Sequence, residues 1–310
     1  MKSQGRINFN FYKFAKSLVK KGLKPFLKKR QQVKKGKPKS LNDYTIKSII
    51  SESSISTVYK ATCKSTNQKV IIKKSKNNIN SVSEINLSKM AYNNSPAYTL
   101  PVLAEFLDVD QNDSEEHIYY VQQEFGTSLY EFMVDRQAPL SLNEARYVYK
   151  QVLSCLLELQ NNSDLPIYHL DVKEENILID PDTFSIKIID FGVSRSEPIS
   201  WIPATLKSKG SYGSYGSKEF YSPEIYLKNT NMSTLPKHDV WSLGVAIYSS
   251  ITGQLPYKSI GHVVREGFPW RDLEFSKLSV EILEIFGFIF VTDPEFRIDF
   301  EELSQCAFFQ

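Results

Sequence analysis

From residue 44 to residue 123 the apolar positions fall in short runs separated by polar turns. Runs of this length, rich in Ile, Val and Tyr, predict β-strands at 44–50, 57–63 and 69–74, a meander, and two more at 100–109 and 117–123. The stretch 80–92 between them suits a helix. Beyond Gly126 the spacing becomes helical, most clearly over 143–160. There Ala145, Val148, Val152, Cys155, Leu156 and Leu159 share one face and are most simply core. Strand-rich then helix-rich is the order of an α+β fold. The richest apolar run, 285–291, falls short of the roughly 18 residues that a membrane-spanning helix needs and reads as a buried helix. There is no long internal repeat. GSYGSYGS at 210–217 reads as a flexible, hydroxyl-rich loop.

Chemistry enters at two places. ISESSISTVYKA, residues 50–61, has the outline of a turn that covers a phosphate between two strands. Such turns favour glycine, because bare backbone must approach the anion and can need positive φ. Here Ser51, Ser53 and Ser56 stand at the glycine places of a G-x-G-x-x-G pattern. Further on, YHLDVKEENILID at 168–180 sets a Lys two residues after an Asp and an Asn five residues after it. The strand-like Ile186–Ile189 then leads into Asp190-Phe191-Gly192.

H-x-D-x-K-x-x-N followed at this distance by D-F-G is specific, and the chain resembles the eukaryotic-type protein kinases over about 44–308. Other matches follow in order. Val70-Ile-Ile-Lys73 resembles the V-A-I-K strand, Glu84 the helix glutamate that pairs with its lysine, and Ser222-Pro223-Glu224 the A-P-E motif. Asp239-Val-Trp241-Ser-Leu-Gly244 resembles the D-x-W-x-x-G helix, and Arg297 the late arginine that pairs with the A-P-E glutamate.

The resemblance implies a bilobal protein kinase fold in a domain at 41–310. A small β-rich N-lobe with one main helix would span about 44–125, and a larger, mostly helical C-lobe about 126–308. It implies ATP and Mg2+ as cofactors. Asp171 would orient the acceptor hydroxyl and take its proton, Lys173 would neutralise charge on the transferring phosphoryl group, and Asn176 and Asp190 would offer oxygens to the metal. Lys73 would hold the α- and β-phosphates, with Glu84 holding Lys73. Ile50, Ser51, Ser53, Ser56 and Val58 would cover the nucleotide, and Glu124 would sit at the hinge.

Three departures qualify the match. Leu170 replaces the arginine of H-R-D, which in the family reaches a phosphate on the activation segment, so that phosphate is not expected to be the main switch and activity should be largely independent of it. Phe220 and Ser222 replace Tyr and Ala around the A-P-E motif, both mild changes; His169 is retained and expected to pack on Phe191. The serine loop is the third. Serine forced into left-handed geometry costs about 1–2 kcal/mol, yet it is small, keeps its N–H and adds a hydroxyl donor. Because Lys73, Asp171, Asn176 and Asp190 are all present, the loop reads as weakened but working. The alternative is a pseudokinase scaffold with impaired nucleotide binding.

Lys173 and Gly216-Ser217 resemble the Ser/Thr branch. Glu175 and Glu131 stand where basic-residue-directed, calcium/calmodulin-kinase-like members place carboxylates facing substrate Arg or Lys. Charge adds to this. Residues 1–40 hold 14 Lys and Arg and no acid, whereas the other 270 residues carry a balance of −11. An acidic domain favours protein substrates with Ser or Thr in basic contexts.

The basic arm at 1–40 carries Phe9, Phe11, Phe14 and Leu18, and 8–20 has the spacing of a short amphipathic helix before Gly22 and Pro25. Its candidate partners are an anionic membrane surface or the chain's own acidic domain, with nucleic acid less favoured because of the interleaved aromatics. Docking on the domain would make Ser17 and Ser40 candidate autophosphorylation sites. The three cysteines are far apart and form no C-x-x-C, which argues against a disulfide framework and for a reducing compartment. The expected location is therefore cytoplasmic or nuclear, with peripheral membrane association through the arm. No transmembrane segment is expected.

Overall fold

The computed structural model describes residues 40–109, 115–162, 165–196, 216–230, 233–270 and 278–310. Residues 1–39 of the basic arm, with the expected helix at 8–20 and Ser17, and most of the Gly-Ser-Tyr segment lie outside them.

The first five strands are β1 (Tyr44–Glu52), β2 (Ser56–Cys63), β3 (Lys69–Lys76), β4 (Val102–Val109) and β5 (Glu116–Gln123). They form one antiparallel sheet in the order β1-β2-β3-β5-β4. β4 starts two residues later than the apolar pattern implies. Pro101 has no N–H to give a ladder, so pairing begins at Val102. Alternation on β5 splits two small cores. Tyr119 and Val121 join Tyr44, Ala61, Val70, Ile72 and Phe106 on one face. Ile118 and Tyr120 turn to the other and meet Ile85 of helix α1 (Ile79–Asn94). Asn78 starts α1, its side chain accepting the N–H groups of Asn80 and Ser81.

The second half is mostly helical: α2 (Leu129–Asp135), α3 (Leu142–Asn161), α4 (Pro223–Tyr226), α5 (Leu235–Thr252), α6 (Ile260–Glu266), α7 (Val280–Ile289) and α8 (Phe300–Ser304). All six α3 positions read as core are buried. Ser141 and Glu144 close a capping box at its start. Around α3, α5 and α7 one core gathers, with Trp241 fully buried among aromatic rings. The apolar run at 285–291 is only partly buried. Helix α7 ends at Ile289, and its 3.6-residue period turns Phe288 outward while Ile285, Phe286 and Ile289 point in.

Short strands carry the loops between the two halves: β6 (Thr127–Ser128), β7 (Ile167–Tyr168), β8 (Ile177–Ile179), β9 (Ile186–Ile188) and β10 (Arg195–Ser196). β6, β8 and β9 form one small sheet and β7 pairs with β10. Among the described residues no helix is long and apolar enough to cross a membrane.

Candidate active site

Lys73 on β3 points at helix α1, and its Nζ lies 2.6 Å from Glu84 Oε1. The same ammonium lies 3.5 Å from Asp190 Oδ1. The consecutive elements β3 and α1 and the sequence-distant Asp190 therefore converge on one cation. Burial alone would lower the Lys73 pKa, but the Asp190 and Glu84 carboxylates outweigh it and hold it above the ordinary lysine value. Desolvation would raise the Asp190 carboxyl; Lys73, the Gly192 N–H and nearby His169 reverse that and keep it below its usual range. A Cβ at Gly192 would sit 3.0 Å from Asp190 Oδ1, a tight contact that the bare glycine avoids.

The loop between β7 and β8 is anchored from α5. Asp239 accepts the N–H groups of His169 and Leu170 at 2.8 and 2.7 Å. His169 Nε2 donates to the Ile189 carbonyl at 3.0 Å, and its ring meets Phe191 edge-on, as the motif implied. Fixed in this way, Asp171 gathers donors. Asn176 Nδ2 donates to Asp171 Oδ2 at 2.8 Å, the Ser217 N–H donates to Oδ1 at 2.8 Å, and Lys173 Nζ lies 3.2 Å from Oδ2. Lys173 also donates to Ser217 Oγ at 2.7 Å. A side chain at Gly216 would collide with Asp171, since its Cβ would fall 2.2 Å from Oδ1.

Leu170 takes positive φ, 64°, and is fully buried. Its side chain lies in an apolar cluster with Tyr168, Ile225 and Leu235, flanked by Val193 and Tyr221. The position where an arginine would reach out for a phosphate is thus plugged with hydrocarbon. Below it Arg297 makes a bidentate pair with Glu224, 2.7 and 2.9 Å, buried on both sides, and its guanidinium lies over Trp241. Ser222 accepts or donates a hydrogen bond with His238 Nδ1 at 3.0 Å.

The serine loop is closed on itself. Ser53 Oγ accepts the N–H groups of Ile55 and Ser56, and its own N–H reaches the Ser56 carbonyl at 2.9 Å. None of Ser51, Ser53 and Ser56 has positive φ, so the left-handed penalty expected of the serines does not arise in this conformation. Ser51 pairs with Val58 across the hairpin and Ile50 is half-exposed beside it. Glu124 pairs with Lys60 at 3.4 Å and gives its N–H to the Lys69 carbonyl.

Sequence reasoning missed two residues. Tyr120 donates its hydroxyl to Glu84 Oε1 at 2.7 Å. Glu174 turns inward and accepts hydrogen bonds from Ser249 and Ser250 of α5, and burial pushes its carboxyl up to about 7. Tyr120 belongs to no motif and Glu174 falls at an unspecified place of H-x-D-x-K-x-x-N, so only the three-dimensional neighbours reveal them. Glu131, read as facing substrate, is exposed and also caps α2, its Oε2 accepting from Thr127 Oγ1 at 2.8 Å and Ser128 Oγ at 3.0 Å. Glu175 is exposed.

The donor set fits a hard divalent cation. Asn176 commits its amide nitrogen to Asp171, at the carbonyl and at Oδ2, which leaves its amide oxygen as the outward donor. Asp190 adds a carboxylate 43% exposed.

The family model described as protein kinase domain matches residues 44–309. Sperm motility kinase 2B of Mus musculus is 32% identical over 174 residues, 56% of this chain and 33% of that protein. Serine/threonine-protein kinase SRK2C of Arabidopsis thaliana is 29% identical over 180 residues, 54% of this chain and 48% of that protein. Serine/threonine-protein kinase prk-2 of Caenorhabditis elegans is 28% identical over 168 residues, 54% of this chain and 35% of that protein. The chain thus spans a third to a half of the length of these curated relatives. A family match running through both halves of the fold, over a site assembled from these side chains, means that the chain belongs to the protein kinase domain family.

Proposed function

We propose that the chain transfers the terminal phosphoryl group of ATP to serine or threonine hydroxyls of protein substrates. The observation that carries this reading is the pair of assembled clusters, Lys73–Glu84–Asp190 and Asp171–Lys173–Asn176. Asp171 orients the acceptor hydroxyl and takes its proton as the new O–P bond forms and the bond to ADP breaks. Lys73 holds the non-transferring phosphates, and Lys173 offsets charge at the reacting group. Asn176 and Asp190 would hold Mg2+, which supplies charge neutralisation to the phosphates when bound.

The finer reading is a preference for basic sequence contexts, supported by the acidic balance of the domain and by exposed Glu175. Catalysis independent of an activation-segment phosphate is supported by the buried, apolar Leu170. The +14 arm at 1–40, tethered to that domain, acts on this reading as a substrate or brake in cis. Transfer from radiolabelled ATP to basic protein substrates should be seen with the wild type and lost in Asp190→Asn. No transfer to any of them would overturn the proposal.

One observation favours a second reading, a nucleotide-poor scaffold: Ser53 already occupies the loop N–H groups that a phosphate would need. A thermal shift on adding Mg-ATP separates the two, because a ligand of the native state raises its apparent stability.

A further inference from the structure

We infer that Tyr120 is a positioning residue for the phosphate-holding pair, its hydroxyl fixing the Glu84 carboxylate and with it helix α1. The inference rests on the kinase reading of Lys73 and Glu84. In the β3–β5 register Lys73 stands directly opposite Tyr120, so the two side chains leave the sheet on the same face as neighbours. Both reach one atom. Lys73 Nζ is 2.6 Å and the Tyr120 hydroxyl 2.7 Å from Glu84 Oε1. The ring of Tyr120 is buried against Ile85 and Ile118, with Val82, Val102 and Leu107 around it. An aliphatic side chain would serve that packing. The hydroxyl adds only the bond to Glu84.

That bond matters because Lys73 is shared. It also faces Asp190 at 3.5 Å and must turn toward phosphates when a nucleotide binds. A neutral donor on β5, an interior strand paired on both sides, keeps Glu84 in place while the lysine divides its attraction. Burial beside Glu84 drives the phenol pKa up, so Tyr120 stays protonated and donating. The ends of α1 are held otherwise, by the Asn78 cap and by the Asn94 side chain on the Leu159 carbonyl. Mid-helix, the exposed Lys89–Glu105 pair and the packing of Ile85 also tie α1 to the sheet, but Glu84 is the tie that reaches Lys73. With Leu170 buried in hydrocarbon, the loop before Asp171 offers no arginine through which a phosphate could set this arrangement. Tyr120 holds it from within the N-lobe.

The test is Tyr120→Phe on the full chain. The ring stays, and kcat/KM for ATP should fall about tenfold. Tyr120→Leu, a second variant lacking the hydroxyl, should lose at least as much. In a Glu84→Ala background Tyr120→Phe should change kcat/KM by less than about twofold, since the atom it acts through is gone. Amide exchange of residues 79–94 should quicken in Tyr120→Phe without any substrate. Equal losses in both backgrounds, or unchanged kcat/KM together with unchanged exchange, would overturn the inference. A wild type that transfers no phosphate would defeat the kinase reading instead, and the exchange measurement would still report whether the hydroxyl holds α1.

Discussion

Ser53 Oγ lies 3.2 Å from the Ser56 N–H, and the same hydroxyl donates back to the Ser56 carbonyl at 3.1 Å. The hairpin tip is therefore its own ligand. A phosphate entering the loop must displace a hydroxyl that already satisfies two backbone donors. Replacing Ser51 and Ser53 by glycine removes that competitor. One net hydrogen bond is worth about 1 kcal/mol, so KM for ATP should fall severalfold. Initial rates against ATP concentration check this. A rise in KM would show that the serine hydroxyls are themselves phosphate ligands.

Lys73→Ala and Asp171→Ala should each lower phosphotransfer by about a hundredfold or more, the scale of losing one preorganised charge in a transition-state site. Each also strips a partner from its cluster: Glu84 loses its cation, the Ser217 N–H loses its acceptor, and Asn176 keeps only the Asp171 backbone carbonyl. Circular dichroism should show the fold retained, because the large C-lobe core does not include either residue. Full activity in either variant would remove these residues from the proposed chemistry.

The sheet and the long helices were legible because burial sets their period: β5 alternates between two cores, and α3 buries every residue of its predicted stripe. The candidate site was legible through fixed spacings in single loops, HLDVKEEN and DFG. Tyr120 was not, because its significance depends on a strand register that places it opposite Lys73. Glu174 reads in sequence as another surface carboxylate beside Glu175; only the serine hydroxyls of α5, some 75 residues away, explain why it turns inward. Glu131 went the other way. Its spacing after Ser128 is that of a capping box, a local demand that uses its carboxylate.

Leu170 should behave as a core residue. It is fully buried at positive φ among Tyr168, Ile225 and Leu235, so Leu170→Ala should cost about 2–4 kcal/mol, less whatever the cluster recovers by collapsing. Denaturant titration measures this. Phosphatase treatment of the wild type should leave kcat unchanged. A large loss of kcat on dephosphorylation would show that an activation-segment phosphate acts through residues other than the one at 170.

The acid limb of stability should carry the mark of Glu144. Arg136 grips its carboxylate with both guanidinium nitrogens, at 2.9 and 3.0 Å, and the Ser141 N–H adds a third donor at 2.7 Å. Chiefly through the Arg136 bonds the carboxyl is lowered from 4.5 to about 2. A depressed folded pKa means that the unfolded chain takes up the proton first. The contribution is complete above about pH 4.5 and is lost as the pH falls through about 2. Part of the pair is open to solvent, so its worth is about 1–2 kcal/mol rather than the full value of the shift. Glu144→Gln should therefore destabilise the chain by about that much at neutral pH. The gap from wild type should shrink by more than half near pH 3. A gap that stays constant across this range, or widens toward acid, would mean that the Arg136–Glu144 pair does not stabilise the start of α3.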